Sequence, residues 1–185
     1  MYQHFIQINP LCCGAACMQM VYDYWGVKIS QESIWNDISR PNTIWGFDCG
    51  PERMERHFHS HGFCAIDIIA ICKIDQFLPW IEQQLVSAII NYVVEENHYH
   101  FVLFEKTVPN GVIIQDPSST MPSTFISYDQ LQQPQVMLIE KPTKTVRCPH
   151  CKAAFPSCKT FSWLYAQHVS RCAYCQEELF YVENI

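Results

Sequence analysis

Apolar positions along the chain first fall into a helical rhythm at Ala15. Ala16, Met20, Val21 and Tyr24 lie three to four residues apart, Pro10 and Gly14 interrupt regular structure ahead of them, and Gly26 supplies a stop. Ser30 can cap a second helix running through Ile34, Trp35 and Ile38 to about Ser39. Residues 40–51 form a stretch rich in Pro, Gly, Asn and Asp, expected to be a loop anchored by Trp45, Phe47 and Cys49. A third helix is expected over residues 52–61 with Gly62 as its stop, a buried strand over 63–70, and a fourth helix over 74–85 with Phe77, Leu78 and Ile81 on one face.

Beyond residue 86 the period changes. Residues 87–94, 101–106, 112–115 and 136–140 are short runs of Val, Ile, Leu and Phe, the composition of strands, and Pro109-Asn110-Gly111 is a hairpin turn between two of them. Helices followed by a run of hairpin-linked strands predict an α+β domain with an antiparallel sheet.

Composition adds limits. The 185 residues are 49% hydrophobic and 16% charged, which suits a globular chain with a sizeable core. No apolar run reaches the length of a membrane span, and the N-terminus lacks the sections of a signal peptide, so a cytoplasmic protein is expected, with signal-free secretion left open. Residues 1–140 hold six Lys and Arg against fifteen Asp and Glu, whereas residues 141–185 hold six against three. The sign changes at the polar segment Lys141-Pro142-Thr143-Lys144, which sets the expected boundary: one domain over 1–141 and a small module over 142–185.

The eleven cysteines are an odd number, which argues against a complete disulfide framework. Cys148-Pro-His-Cys151 and Cys172-Ala-Tyr-Cys175 stand twenty residues apart, the spacing of a zinc ribbon in which two tight turns give four thiolates to one tetrahedral ion. One structural Zn2+ is therefore expected, with His150, Cys158 and His168 as spare ligands. Near this site lie Lys144, Arg147, Lys152, Lys159 and Arg171 with Phe155, Phe161, Trp163 and Tyr165. Counting four thiolates leaves the module near neutral or negative, which favours a protein partner over nucleic acid.

Candidate chemistry lies elsewhere. Cys13 precedes Gly14 at a helix start, where free backbone N–H groups and the helix dipole favour a thiolate. A nucleophilic thiol needs a base and a group that orients that base. His100 at the start of one strand and Asp116 at the end of its hairpin partner can meet in space. Cys12 and His98 are close alternatives, and His57, His59 and His61 are read as a solvated helix end.

Gln7 followed six positions later by Cys13-Gly14, then His100 with an apolar strand behind it, then a strand ending in Asp116-Pro117, resembles the papain-like cysteine peptidases that trim double-glycine leader peptides in bacteriocin export. The resemblance covers roughly residues 5–140. It implies a papain-like fold, Cys13 as nucleophile, His100 as general base and acid, Asp116 as orienter and Gln7 as a donor to the oxyanion. It also favours Cys13 over Cys12, because the distance from Gln7 fits. The implied function is cleavage of a protein or peptide substrate. An acyl transferase or amidase on the same fold, or a binding module without turnover, are the alternatives. The resemblance does not reach the zinc module, which is expected to dock a substrate or partner.

Overall fold

In a computed structural model, the chain is described over residues 1–42, 46–68, 71, 73–84, 86–95, 98–157 and 170–179. Trp45, Ala70, Leu85, Asn97, Cys158, Lys159, Phe161, Trp163, Tyr165 and His168 lie outside the described residues.

The first helix, α1 (Cys13–Tyr24), is buried nearly all round, which its run of Cys, Ala, Met and Val allows. It is followed by α2 (Gln31–Ile38), capped by the Ser30 side chain, which accepts from the Ser33 N–H, and by α3 (Pro51–Ser60). Gly26 and Gly62 take left-handed φ values of 80° and 79° just past the ends of α1 and α3, as their stop positions require. The fourth helix, α4, spans Ile74–Gln84.

Between α2 and α3 the expected loop is instead a ribbon of two short antiparallel strands, β1 (Ser39–Asn42) and β2 (Gly46–Cys49). Its sequence hides the pairing because the strands are polar and contain Pro41. Ion pairs of Asp48 with Arg40 and Arg53 tie it down, and Cys49 packs on the core beside α1.

The remaining strands are β3 (Cys64–Ile68), β4 (Ser87–Glu95), β5 (His98–Val108), β6 (Gly111–Gln115), β7 (Thr124–Ser127), β8 (Gln132–Glu140), β9 (Lys144–Arg147), β10 (Ala154–Ser157), β11 (Ser170–Arg171) and β12 (Glu178–Leu179). Eight of them form one antiparallel sheet in the order β12-β11-β3-β8-β4-β5-β6-β7, and β9 pairs with β10 apart from it. The four-residue β7 lies outside the expected strands, its two apolar residues being too few to mark a strand. The outcome is an α+β, papain-like arrangement of helices on an antiparallel sheet.

Two cores form on opposite faces of this sheet. On one side Ala65, Ile89, Phe101, Leu103, Met137 and Ile139 pack against α1–α3, with Met18, Tyr22, Ile34 and Phe58 at the centre. On the other, Ile66, Ile68, Ile90, Val102 and Leu138 pack against Phe77, Leu78 and Ile81 of α4, and Cys148, Phe155 and Cys172 join this core. Burial on both faces explains why the central strands are continuous apolar runs without alternation.

His57 and His59 correct the expectation of a solvated helix end. They are 6% and 7% exposed. His57 Nδ1 bonds Tyr22 Oη at 2.7 Å and its ring stacks on His61, while His59 Nε2 bonds Ala65 O at 3.0 Å and its ring stacks on Phe155. Helix α3 thus turns part of its polar face inward, where sequence polarity alone points to water.

The β5–β6 hairpin turns at Asn110, which has φ 63°, and at Gly111, where a Cβ would sit 2.2 Å from the carbonyl oxygen of Ile126 on β7. Backbone cannot give way cheaply there. Gly111→Ala should destabilise the protein by about 1–3 kcal/mol, read as a lower denaturant midpoint with an unchanged slope.

Candidate active site

Three elements converge at one end of the sheet: the N-terminus of α1, the start of β5 and the end of β6. Cys13 is the first residue of α1, and no side chain caps the helix. Its first-turn N–H groups therefore point toward the space ahead of the helix without intrahelical acceptors. Asn9 shapes the approach: its backbone carbonyl accepts from the Cys12 N–H at 3.1 Å, its side-chain oxygen from the Leu11 N–H at 2.9 Å, and its amide donates to Cys12 Sγ at 2.8 Å. Gly14 lets the ribbon come close, since a Cβ there would stand 3.0 Å from Cys49 Sγ and 3.2 Å from Met54 Sδ.

His100 Nε2 and Asp116 Oδ1 are 2.8 Å apart, and the Cys13 thiol is the other group near enough to raise the His100 pKa. With Nε2 committed to Asp116, Nδ1 is the ring atom left for the thiol. Asp116 is held in turn by Ser118, whose backbone N–H and hydroxyl both donate to Oδ1, at 2.8 and 2.7 Å. Burial on its own would lower the His100 pKa, but hydrogen bonds to Asp116 and Cys13 outweigh it and raise the value from 6.5 to about 9. Burial works against ionisation of Asp116 as well, yet the donors His100 and Ser118 bring it down from 3.8 to about 2. An imidazolium–carboxylate pair is the stable form across neutral pH.

The neighbouring thiols differ. Burial pushes Cys12 up to about 11, and Cys17 and Cys49 well above their usual range. They remain protonated and are poor nucleophiles.

Gln7 lies on the segment leading to α1. Its backbone N–H donates to Pro117 O at 2.8 Å, which ties it to the residue after Asp116, and its side-chain oxygen is buried with no hydrogen-bond partner among the described residues. Gln31, 4% exposed at the start of α2, fixes that segment from both sides: it accepts from the Ile8 N–H at 2.6 Å and donates to Ile6 O at 3.1 Å. Sequence reasoning missed Ser118, Asn9 and Gln31. Of these, only the Asp-Pro-Ser turn carries a local signal.

A cleft of about 400 Å3 opens at Cys13. Leu11 and Cys13 form one wall, Cys49, Gly50 and Pro51 from the ribbon and α3 another, and Asn91, Phe101 and Gln135 line it from the sheet. His98 stands at the cleft as well, two residues from His100.

Apart from this site, Cys148, Cys151, Cys172 and Cys175 bring their sulfurs within 4.8 Å of one another, a group that could hold a metal ion. Cys148–Cys175 and Cys151–Cys172 are both 3.8 Å apart. The two turns match bond for bond. The N–H groups of His150 and Tyr174 each point at the preceding cysteine sulfur at 3.4 Å, and Lys152 and Gln176 close their turns with φ values of 63° and 64°.

The family model described as Peptidase C39 family matches residues 2–144. Among solved structures, the peptidase domain of Streptococcus ComA, a bi-functional ABC transporter involved in quorum sensing, is similar with a TM-score of 0.63 and 17% identity, covering 76% of this chain and 99% of that one. A double glycine motif protease from an AMS/PCAT transporter, solved in complex with its leader peptide, has a TM-score of 0.57 and 17% identity over 76% of this chain and 92% of its own. A C39-like peptidase from Bacillus anthracis has 0.57 and 14% over 74% and 94%. At these identities the likeness is one of fold. No match appears among curated proteins. With the cleft, α1 and the β5–β6 hairpin all inside the matched residues, and the four-cysteine cluster beyond them, the chain belongs to the Peptidase C39 family of cysteine peptidases.

Proposed function

We propose that this peptidase cuts its substrate through a covalent acyl-enzyme on Cys13, with His100 as general base and acid, Asp116 as its orienter and Gln7 as a donor to the oxyanion. The observation that carries the reading is the 2.8 Å bond from His100 to Asp116, with the Cys13 thiol as the other group that raises the His100 pKa. Cys13 thiolate adds to the scissile carbonyl carbon. The oxygen then takes the electron pair and is met by the backbone N–H of Cys13 and the Gln7 amide. When the tetrahedral adduct collapses, the C–N bond breaks and the His100 imidazolium gives its proton to the leaving amine. Water next attacks the thioester, His100 takes a proton from it, and the acid leaves with the thiolate restored.

The proposed substrate is a peptide drawn out along the cleft, as the leader peptide bound by the AMS/PCAT protease suggests. The proposed organisation is a peptidase domain over residues 1–141 and a zinc module over 142–185. A Zn2+ ion with sulfurs at about 2.3 Å in a tetrahedron sets them about 3.8 Å apart, which agrees with the two 3.8 Å separations. Bound there, the ion would supply folding energy. Four protein ligands leave it no open position, so the chemistry at Cys13 proceeds without it. Basic and aromatic side chains around the cluster suit a protein partner. Nine described cysteines are free, including four gathered within bonding reach of one metal, which fits the reducing cytoplasm. No described helix is long and apolar enough to cross a membrane.

Iodoacetamide near neutral pH should label Cys13 ahead of every other thiol, and Cys13→Ala should abolish both that label and peptide cleavage. Uniformly slow labelling would overturn the assignment. Gln7→Ala should lower kcat by roughly 10²–10³-fold, the loss of one oxyanion donor worth about 2.7–4 kcal/mol, with KM little changed.

The raised pKa of His100 sets the sign of the alkaline limit. Its proton is present below the ordinary value of 6.5 and is lost as pH rises through about 9, so the stability from the His100–Asp116 pair and the acid needed by the leaving amine fade together. The kcat/KM profile should fall above about pH 9, and in Asp116→Asn that limb should move toward 6.5.

Native mass spectrometry should find one zinc per chain. Removing it with a chelator, or Cys148→Ser, should lower the melting temperature, because Cys148 and Cys172 belong to the core that packs on β3. A protein free of zinc as purified would contradict the metal assignment.

A further inference from the structure

The cleft that opens at Cys13 continues past it. Pro51 and Gln135 line that cleft and also a second cavity of about 210 Å3. The remaining walls of this cavity are Glu52 and Glu55 of α3, Asp67 of β3 and Gln176 of the second cysteine turn. Three carboxylates thus face one small space, and neither Lys nor Arg is among the described residues lining it.

Their bonding separates them. Glu52 is engaged by Arg53 at 2.8 Å. Glu55 is 3% exposed, and among the described residues its carboxylate has no hydrogen-bond partner. The nearest basic atom, His59 Nε2 at 3.9 Å, is bonded to Ala65 O at 3.0 Å. Burial also pushes the His59 pKa down to about 4, so that ring is neutral and brings no positive charge. Arg56, on the same helix, directs its Nε to the Glu52 carbonyl. A carboxylate removed from water with no donor is costly to bury and gains much from an incoming cation. The burial of Glu55, followed by the repulsion of Asp67 and Glu52, raises its proton affinity in the same direction.

The occupant is not a metal ion. Only the four cysteines, among the described residues, bring ligand atoms together closely enough for one. The cavity instead adjoins a peptide cleft. We infer that it is a specificity subsite for a lysine or arginine side chain of the substrate peptide, an inference that rests on the peptidase reading above. Glu55 is the principal acceptor. Gln176 closes the outer wall, and because its side chain donates to Cys172 O at 3.2 Å, its position follows that of the second cysteine turn. The module that lies outside the family match therefore shapes which peptides the cleft accepts.

The test uses the full-length zinc-loaded protein carrying Cys13→Ala, so that peptides bind without turnover, and a randomised dodecapeptide library. Enriched peptides should carry Lys or Arg at one fixed position. For a peptide chosen from them, the ratio of affinities for the arginine form and its norleucine counterpart should be roughly tenfold, the scale of a hydrogen bond to a charged group. That ratio should fall to about one when Glu55→Gln is added. Gln176→Arg, at an exposed position, provides a second variant that should also abolish the preference by placing a cation at the cavity mouth. Enrichment without a basic position, no enrichment at all, or a ratio unmoved by both variants would overturn the subsite. Wild-type protein is then given the enriched peptides. If they bind with the basic preference but are never cut, the peptidase reading fails and the subsite stands. If they are cut equally well with arginine or norleucine, the subsite fails and the peptidase reading stands.

Discussion

The hydrogen bond between His100 and Asp116 is the constraint to which much of this fold answers. Asp116 lies one residue past the end of β6, whereas His100 is the third residue of β5 and pairs with Tyr92 of β4. What fixes them is the hairpin, its tight turn at Asn110 and Gly111, and the Ser118 donors that hold the carboxylate. The same loop reaches back to the N-terminal segment through the bond from Gln7 N–H to Pro117 O, and His4 Nε2 meets Ser119 O at 2.9 Å. A single turn after β6 thus aligns His100 with the N-terminal segment that carries Gln7.

Helix α1 supplies the other half. Its burial between the sheet, α2 and α3 leaves little freedom for its first turn, so the position of the Cys13 sulfur is set by packing and not by the loop before it. Cys12, Cys17 and Cys49 lie within the same electrostatic reach, yet burial keeps them protonated. Three of the four neighbouring thiols are thus held protonated by dehydration, and one imidazole stands near the fourth.

Much of this was legible in the sequence because it is written in local signals. A Cys-Gly pair at a helix start, a histidine at the head of an apolar strand, an Asp-Pro at the end of the next strand and two Cys-x-x-Cys turns each occupy a few adjacent residues. What was not legible depends on residues that meet across the fold. The β1–β2 ribbon has no apolar period and is held by ion pairs of Asp48, so its strands look like loop. His57 and His59 look solvated until Phe155 and Tyr22 are seen to cover them. Gln31 and Glu55 are ordinary polar helix residues by pattern. Their burial is decided by the segment of residues 6–8 and by β3, and no window of the sequence contains both partners.

The pairing of β11 with β3 at Ser170 and Ile68 has a further meaning. A central sheet of this kind presents an unpaired outer strand at each side, and such a strand recruits other chains by its free N–H and C=O groups. On one side the sheet ends in β7, which is only four residues long. On the other, β3 is buried along its length, and β11, which pairs with it at Ser170, comes from the segment between the two cysteine pairs. The segment between the two cysteine pairs thus meets the outer side of β3 at Ser170, so the C-terminal residues and the peptidase sheet share one hydrogen-bonded framework.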